Sequence, residues 1–540
     1  MTSQTKKWEI LNKDVPKNTN QIVSLLLNNR EIKSAKDRKE FLSPTNPSKI
    51  TLKSLGVKEE QIKKALERIK KAKKNKEKVV IYGDYDADGI TATAIMWETL
   101  HSFGLDVLPH IPDRFEEGYG INSDSIENLK SKIKDLSLIV TVDNGIVGFK
   151  GIETANKLGI DIIVLDHHQK GKEFPKAYSI IHTTEICGSA LAYFFGKELL
   201  TKPVDIELAA IGTVADQMPL IGVNRSIVKF GLENLNSTKR PGLRAILDTS
   251  KVENVGTYEI NYIIAPRINA MGRLAQGIDS LRLLCTNRSD RAHELSKLLN
   301  DTNFERQKIV DKVVLHARQK VKNDNVIVLA DENYHEGVIG LAAGKLVEEF
   351  YRPAIVFSIK GKIAKASARS ISGFNIIEAI RNVNLHSEGG GHPMAAGFSI
   401  ETTKIAKFTK EINKYAEKLL TAEILERKLK VDCEINFEQV DYSLYNKLKE
   451  FEPTGLGNFT PTFVSKSVEI IDIRLVGAES KHLKLKLKQN GHIFDSIFFG
   501  GGGIYSKLVP GSKVNVVYSI EENIWNGYRN LQLKIRDIKL

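Results

Sequence analysis

The sequence predicts an α/β protein in which two α/β lobes are joined by a long helix and followed by a small β-barrel. Three observations predict this. Between 76 and 240, apolar strand-like runs ending in acids alternate with helical segments, the pattern of a parallel sheet covered on both faces. The same alternation returns between 325 and 425. From 426 to 540 short runs alternate apolar and polar residues, as in KHLKLKLKQNGHIFDSIFFG, which fits a small antiparallel barrel.

Length and composition agree with several domains. A chain of 540 residues is too long for one ordinary core. Lys and Arg number 79 against 66 Asp and Glu, a net charge of +13. That excess suits a polyanionic partner, although a lysine-rich surface alone also produces it. Cys187, Cys285 and Cys433 are widely spaced and form no C-x-x-C, which argues against a zinc site or a disulfide framework and fits a reducing compartment. The first residues lack the apolar centre of a signal peptide. No apolar run approaches the roughly 20 residues of a membrane span. A cytoplasmic monomer with no membrane association is expected.

Residues 1–75 read as a basic, mainly helical extension. It closes with EEQIKKALERIKKAKKNKEK, a solvated surface helix with Ile62, Ala65, Ile69 and Ala72 at helical spacing. Within 76–240, VVIYGDYD is a strand followed by the helix ITATAIMWETLHSF, which stops at Gly104. LSLIVTVDNG, the helix IETANKLG and the strand IDIIVLDHH continue the alternation, and DIELAAIGTVADQMPLIG is an apolar helix running into a turn at Asp216. Residues 241–324 form a helical connector whose later part, 289–324, lacks Pro and Gly and reads as one or two extended helices. Residues 325–425 supply NVIVLAD, the helix GVIGLAAGKLVEEF, the strands PAIVFSI and IAKASAR, and the glycine-rich EGGGHPMAAGFSI.

In parallel α/β sheets, ligands bind beyond the carboxyl ends of the strands. Asp84, Asp86, Asp88, Asp143, Asp166, His167 and His168 all fall there. Carboxylates two apart on a continuing strand share a face, so the first three are expected to converge. Crowded acids repel and raise one another's pKa unless a cation sits among them. Several oxygens and one imidazole suit manganese or magnesium, and the number of acids suffices for two ions acting on a phosphoester. DxDxDG also resembles a calcium loop, but the twelfth position from Asp84 is Ile95, not the terminal Glu.

GDYDADG, VDNG, DHH and GTVADQMPL, in this order, resemble the DHH phosphoesterase superfamily and, within it, the RecJ single-strand exonuclease family. IPDRFEEGYGIN, APRINAMGRL, GVIG, SARS, GGGHPMAAG and FEPTGLGNFTP extend the likeness over nearly the whole chain beyond residue 75. The resemblance implies that Asp84, Asp86, Asp88, Asp143, His167 and Asp216 are ligands of two divalent ions, manganese or magnesium. It implies that His168 contacts the scissile phosphate or a water, and that Asp166 orients the histidine pair. Related phosphatases place a histidine where this chain has Tyr82, so Asp84 would supply the missing ligand. The family also shows an Asn-Pro and a longer insertion near 180–199, where this chain is short; its helix is expected to survive.

Beyond the metal site, the resemblance implies a 5′-phosphate pocket of Arg114, Arg273, Ser367 and Arg369, with His392 and the glycine-rich backbone of 389–397 also turned toward phosphate. It implies a DHH-associated domain at 325–425 and an OB-fold at 426–540. There Lys481, Lys484, Lys486 and Lys488 face out as a nucleic-acid track, with Trp525 and Tyr528 as stacking candidates. The implied activity is metal-dependent 5′-to-3′ hydrolysis of single-stranded DNA to 5′-mononucleotides in repair and recombination, with a helicase and a single-strand-binding protein as partners. The alternatives are a DHH-family oligoribonuclease or cyclic-dinucleotide phosphodiesterase, and a catalytically silent replication scaffold.

Overall fold

A computed structural model describes residues 6–202, 204–321, 324–525 and 527–540; the side chains of Glu388 and Trp525 lie outside the described set, and so does the stacking role expected of Trp525. The chain divides into two compact units. The first comprises 35–306 with 452–459, and the second comprises the N-terminal residues to 34 with 307–451 and 460–540.

The first unit is built on a five-stranded, wholly parallel sheet. Its spatial order is Asp106–His110, Lys78–Tyr82, Leu136–Val142, Asp161–Asp166, Ser179–His182. Alternate strand residues feed two cores. Val79, Ile81, Leu138, Val140 and Ile163 join one with the helices Ala87–Ser102, Gly188–Leu199 and Glu207–Ala215. Val80, Tyr82, Ile139, Ile162 and Val164 join the other with the helices Ser123–Lys132 and Phe149–Lys157. Each fully buried Val or Ile contributes about 1.5–3 kcal/mol, which explains why these strands read as continuous apolar runs.

Segments expected outside this lobe pack into it. The helix Glu59–Asn75 is not a solvated surface helix: Ile62, Ala65, Ile69 and Ala72 are buried in the larger core. Its buried Arg68 donates to Asp161 at 2.6 Å and to Glu77 at 2.7 Å. From the connector, Leu243, Ile260, Ile268, Leu283 and Leu299 enter the same core. The extended segment after 289 is one helix, Ser289–Lys320.

In the second unit the five-stranded sheet is mixed. Its order is Glu388–His392, Ala395–Glu401, Ile363–Arg369, Ala354–Lys360, Ile327–Asp331, and only the last pair runs parallel. The glycine triplet therefore lies in one strand of a hairpin. The C-terminal barrel closes through Phe463–Val476, His482–Gln489, His492–Phe498, Tyr528–Lys539 and Lys513–Trp525, which pairs back to the first. One closing pair, Asp495–Ile497 with Gln532–Lys534, is parallel, so the barrel is not purely antiparallel. The N-terminal residues include a strand the sequence did not suggest: Lys7–Ile10 pairs in parallel with Lys428–Val431, and Trp8 donates to Asp537 at 2.7 Å. Among the described residues, no helix is long and apolar enough to cross a membrane.

Candidate active site

The three aspartates converge, but not along a strand face. The strand ends at Tyr82. Asp86 is the N-cap of the next helix, its Oδ1 accepting from Gly89 N at 2.9 Å, and Asp88 lies in that helix's first turn. Asp84 sits in the turn between and accepts from Tyr85 N at 2.8 Å. Asn269 reaches across to accept from Ala87 N at 2.7 Å, satisfying a helix-end donor that has no partner within its own helix. Tyr82 is turned into the core, with its hydroxyl donating to Gly120 O at 3.2 Å.

The next two strands deliver further candidate groups to the same place. Asp143, one residue past Leu136–Val142, is held at φ +62°. Such a conformation is uncommon outside glycine and concentrates at functional sites. Asp143 N donates to Leu165 O at 2.9 Å, and the Asn144 side chain ties the turn to Tyr82 O and Val142 O. Asp166 is buried; it accepts from Ile146 N at 2.8 Å and from His168 Nδ1 at 2.8 Å. The acid thus positions His168 in particular. A His168 ring bonded to Asp166 through Nδ1–H presents Nε2 outward.

Oxygens and imidazoles gather in three overlapping groups, in each of which the ligand atoms lie within 4.8 Å of one another. These are Asp84, Asp86 and Asp143; Asp88, His167 and Asp216; and Asp143, His167 and His168. His167 Nε2 is 3.1 Å from Asp143 Oδ1, 3.7 Å from Asp216 Oδ2 and 3.8 Å from Asp88 Oδ2. Asp143 Oδ1 and His167 Nε2 are buried and make no hydrogen bond, because their 3.1 Å approach is misaligned for one. Adjacent ligands at 2.0–2.1 Å from an octahedral ion stand about 3 Å apart, so this spacing fits a shared ion.

The electrostatics agree. Burial, with Asp88, Asp86 and Asp84 nearby, pushes the Asp143 carboxyl well above its usual range. Burial and Asp86 do the same to Asp84, and burial and Asp88 raise Asp86. Asp216, at the end of the helix Glu207–Ala215, is pushed up to about 8 by burial and by Asp88 and Asp86. Burial lowers His167, keeping the neutral form that a metal ligand requires. Burial also opposes charge on His168, but Asp166 overrides it and raises that ring to about 9. The donor set therefore fits divalent cations.

The helix Gly188–Leu199, in the shortened segment, is present and supports the site directly. Gly188 N and Ser189 N donate to Asp88 at 2.7 and 2.9 Å, a carboxylate at a helix N-terminus. A β-carbon at Gly188 would stand 2.6 Å from Asp143 Cβ, so only glycine permits this approach.

Among the phosphate candidates, Arg114 and Arg273 belong to the first unit. Arg114 lies 5.1 Å from the Tyr85 ring, and both arginines act electrostatically on Tyr85 beside the acids. Ser367, Arg369 and His392 belong to the second unit. Register aligns Arg369 with Ala395 and Ala395 with His392. A β-carbon at Gly340, in the first turn of the helix Ile339–Phe350, would meet Ser367 Oγ at 2.9 Å and an Arg369 guanidinium nitrogen at 3.3 Å. The result is a cradle of helix N-terminus, hydroxyl and guanidinium. On the barrel, Leu483, Leu485 and Leu487 are buried while Lys484 and Lys486 face outward. Lys484 lines a groove with Phe499, Asn523 and Tyr528.

Sequence reasoning missed Tyr119, whose hydroxyl is 3.3 Å from His168 Nε2 and 3.4 Å from Asp143 O. Its signal was the flanking Gly118 and Gly120, both at positive φ. It also missed Tyr258 and Tyr262, which are 62% and 65% exposed with ring centroids 4.7 Å apart. They are tied toward Asp216 by the bond from Gln217 Nε2 to Asn261 Oδ1 at 2.7 Å.

Fold and site together define a chain of the DHH class. The DHH family N-terminal domain matches residues 78–214, the DHHA1 domain 323–418 and the RecJ OB domain 431–537. The single-stranded-DNA-specific exonuclease RecJ of Bacillus subtilis is 36% identical over 88% of the chain, which spans 63% of that protein's length. The RecJ of Dickeya dadantii is 30% identical over 88% of the chain and 90% of its own length. The crystal structure of Thermus thermophilus RecJ with Mn2+ superposes with a TM-score of 0.83 at 26% identity, covering 99% of this chain and 79% of that one; the same protein with Mg2+ gives 0.76. The chain belongs to the RecJ family of DHH proteins.

Proposed function

We propose that the protein is a metal-dependent exonuclease that hydrolyses single-stranded DNA from its 5′ end to 5′-mononucleotides and serves repair and recombination. The observation that carries this reading is the buried, unbonded pair Asp143 Oδ1 and His167 Nε2, set among carboxylates whose mutual repulsion a cation would relieve. Asp84, Asp86, Asp88, Asp143, His167 and Asp216 would hold two divalent ions, manganese or magnesium. When bound, such ions lower the pKa of a water and neutralise charge on the phosphoryl oxygens.

The chain's own residues supply positioning and protons. His168, charged near neutral pH through Asp166, offers Nε2–H to a phosphoryl oxygen, and Tyr119 limits its ring rotation. Arg114 and Arg273 balance phosphate charge near the acids. Ser367 and Arg369 at the N-terminus of Ile339–Phe350, with His392, form a phosphate cradle of the second unit, and guanidinium suits this role because it donates in pairs. Lys484 and Lys486 track the strand backbone, while Tyr258 and Tyr262 offer ring faces to unpaired bases.

A cytoplasmic monomer working with a helicase and a single-strand-binding protein completes the reading. The three free thiols and the single-strand substrate named for the relatives support it. The OB match and the outward lysines favour a strand substrate over a cyclic dinucleotide, and the intact acid set disfavours a silent scaffold. Digestion of end-labelled DNA and RNA oligomers with Mn2+ and product sizing tests the proposal. Mononucleotides released progressively from the 5′ end of single-stranded DNA are expected. Internal cuts, 3′ erosion or preferential cleavage of short RNA would overturn it.

A further inference from the structure

We propose that the first unit carries a second, metal-independent site that takes a nucleoside monophosphate on the outer side of its sheet edge. A cavity of about 500 Å³ opens between the edge strand Ser179–His182, the helix Glu59–Asn75 and the segment leading into that strand, a volume ordinary for a small-molecule site. Lys58, Lys64 and Lys170 line it together with the rings of Phe174, Tyr178 and His182, and among the described residues no carboxylate does.

Charge and apolar surface are interleaved as a nucleotide requires. Lys64 Nζ lies 4.8 Å from the Tyr178 ring centroid, and Lys170 Nζ 4.7 Å from that of Phe174. Lys64 and Lys170 thus each stand over a ring face, with nothing anionic lining the cavity among the described residues. A ligand with both an aromatic plane and a phosphate satisfies both sets of groups: the lysines swing from the ring faces to phosphate oxygens and the base takes their place against the rings. Phosphate alone leaves the rings uncovered, and a neutral nucleoside leaves the lysines unmatched.

The cavity is wired to the candidate active site. His182 Nε2 stands 2.8 Å from His168 O; a carbonyl only accepts, so Nε2 carries the proton and donates. His182 is paired in register with Asp166, the acid that positions His168, and Phe174 packs edge-on against His182 with centroids 5.9 Å apart. A ligand pressing on Phe174 and His182 therefore acts on the backbone of the DHH motif. A mononucleotide released by the hydrolysis proposed above is the natural occupant, and naming it as the source rests on that reading; the binding site itself does not.

Calorimetric titration with chelator present, so that the acid cage cannot capture phosphate through a metal, tests the inference on the full chain. dAMP and dTMP are expected to saturate one site per chain in the parent and in Asp143→Asn. They are expected to bind about tenfold or more weakly in Lys64→Ala/Lys170→Ala and in Phe174→Leu, whose replaced side chains are exposed. Deoxyadenosine and inorganic phosphate should each bind about tenfold more weakly than dAMP. Absence of saturable binding, binding lost in Asp143→Asn, binding unchanged in the lysine variant, or phosphate binding as tightly as dAMP would each overturn the site. In hydrolysis assays, added dAMP should inhibit the parent more than the lysine variant; equal inhibition overturns the link to His168. A chain that binds dAMP as expected but does not degrade DNA would sink the proposed function and leave this site standing.

Discussion

Asp143 Oδ1 and His167 Nε2 approach to 3.1 Å inside the protein without forming a hydrogen bond. Two buried polar atoms left in that state are costly, each by about 1–3 kcal/mol. A cation that both can ligate removes the cost, and the surrounding carboxylates favour it further.

Metal should therefore stabilise the fold. At a hundredfold excess over its dissociation constant, Mn2+ should add about 2.7 kcal/mol to unfolding free energy for each ion bound, seen as a raised melting temperature that chelator reverses. Asp143→Asn should melt later than the parent in chelator, because one repelling carboxylate is gone, and should lose most of the Mn2+ shift.

Asp166→Asn should alter the pH profile. Asp166 keeps the His168 imidazolium charged up to about pH 9; without it the ring should titrate near the ordinary value of about 6.5. The raised folded-state value contributes stability that is full below about pH 6.5 and lost as pH rises through about 9. In the variant that contribution disappears, the alkaline limb of activity moves to lower pH, and the rate at pH 8 falls by about thirtyfold, in step with the charged fraction of the ring. NMR titration of His168 checks the shift itself.

Gly188→Ala places a methyl group against the Asp143 carboxylate. Alanine is the better helix former by about 1 kcal/mol, so circular dichroism should show the helix intact. Metal affinity should nevertheless fall about 10–100-fold, as for lost support of a ligand. Unchanged Mn2+ affinity would place Asp143 outside the metal site.

Tyr258→Ala and Tyr262→Ala should each weaken single-strand binding by about 1–3 kcal/mol with little change in salt dependence, as stacking does. Lys484→Gln/Lys486→Gln should instead flatten the log–log salt slope by about 1.4, at about 0.7 per phosphate contact. Anisotropy of a labelled oligomer in chelator, from low to high salt, separates the two.

Much of this was legible in the sequence where the physics is local. Apolar runs ending in Asp84, Asp143 and Asp166 mark strands and strand ends, because a strand buried on both faces needs unbroken apolar residues. The lysine–leucine alternation at 483–487 gives inside and outside directly. Long-range events were not legible. The four-residue strand at Lys7–Ile10 exists only because Lys428–Val431 lies beside it. The strand expected to carry Asp84, Asp86 and Asp88 ends at Tyr82, and convergence comes from a helix cap instead. Asn269 reaches the site from a distant segment with no local pattern to mark its role, and Tyr119 is marked only by the glycine on either side of it.

The most direct measurement is the stoichiometry of Mn2+ binding, followed by the loss of free-ion EPR signal on titration into the metal-free chain. Two tight ions per chain in the parent, with at least one lost in both His167→Ala and Asp143→Asn, is the expected result. Weak, non-saturating uptake, or two ions retained in both variants, would contradict the metal cage.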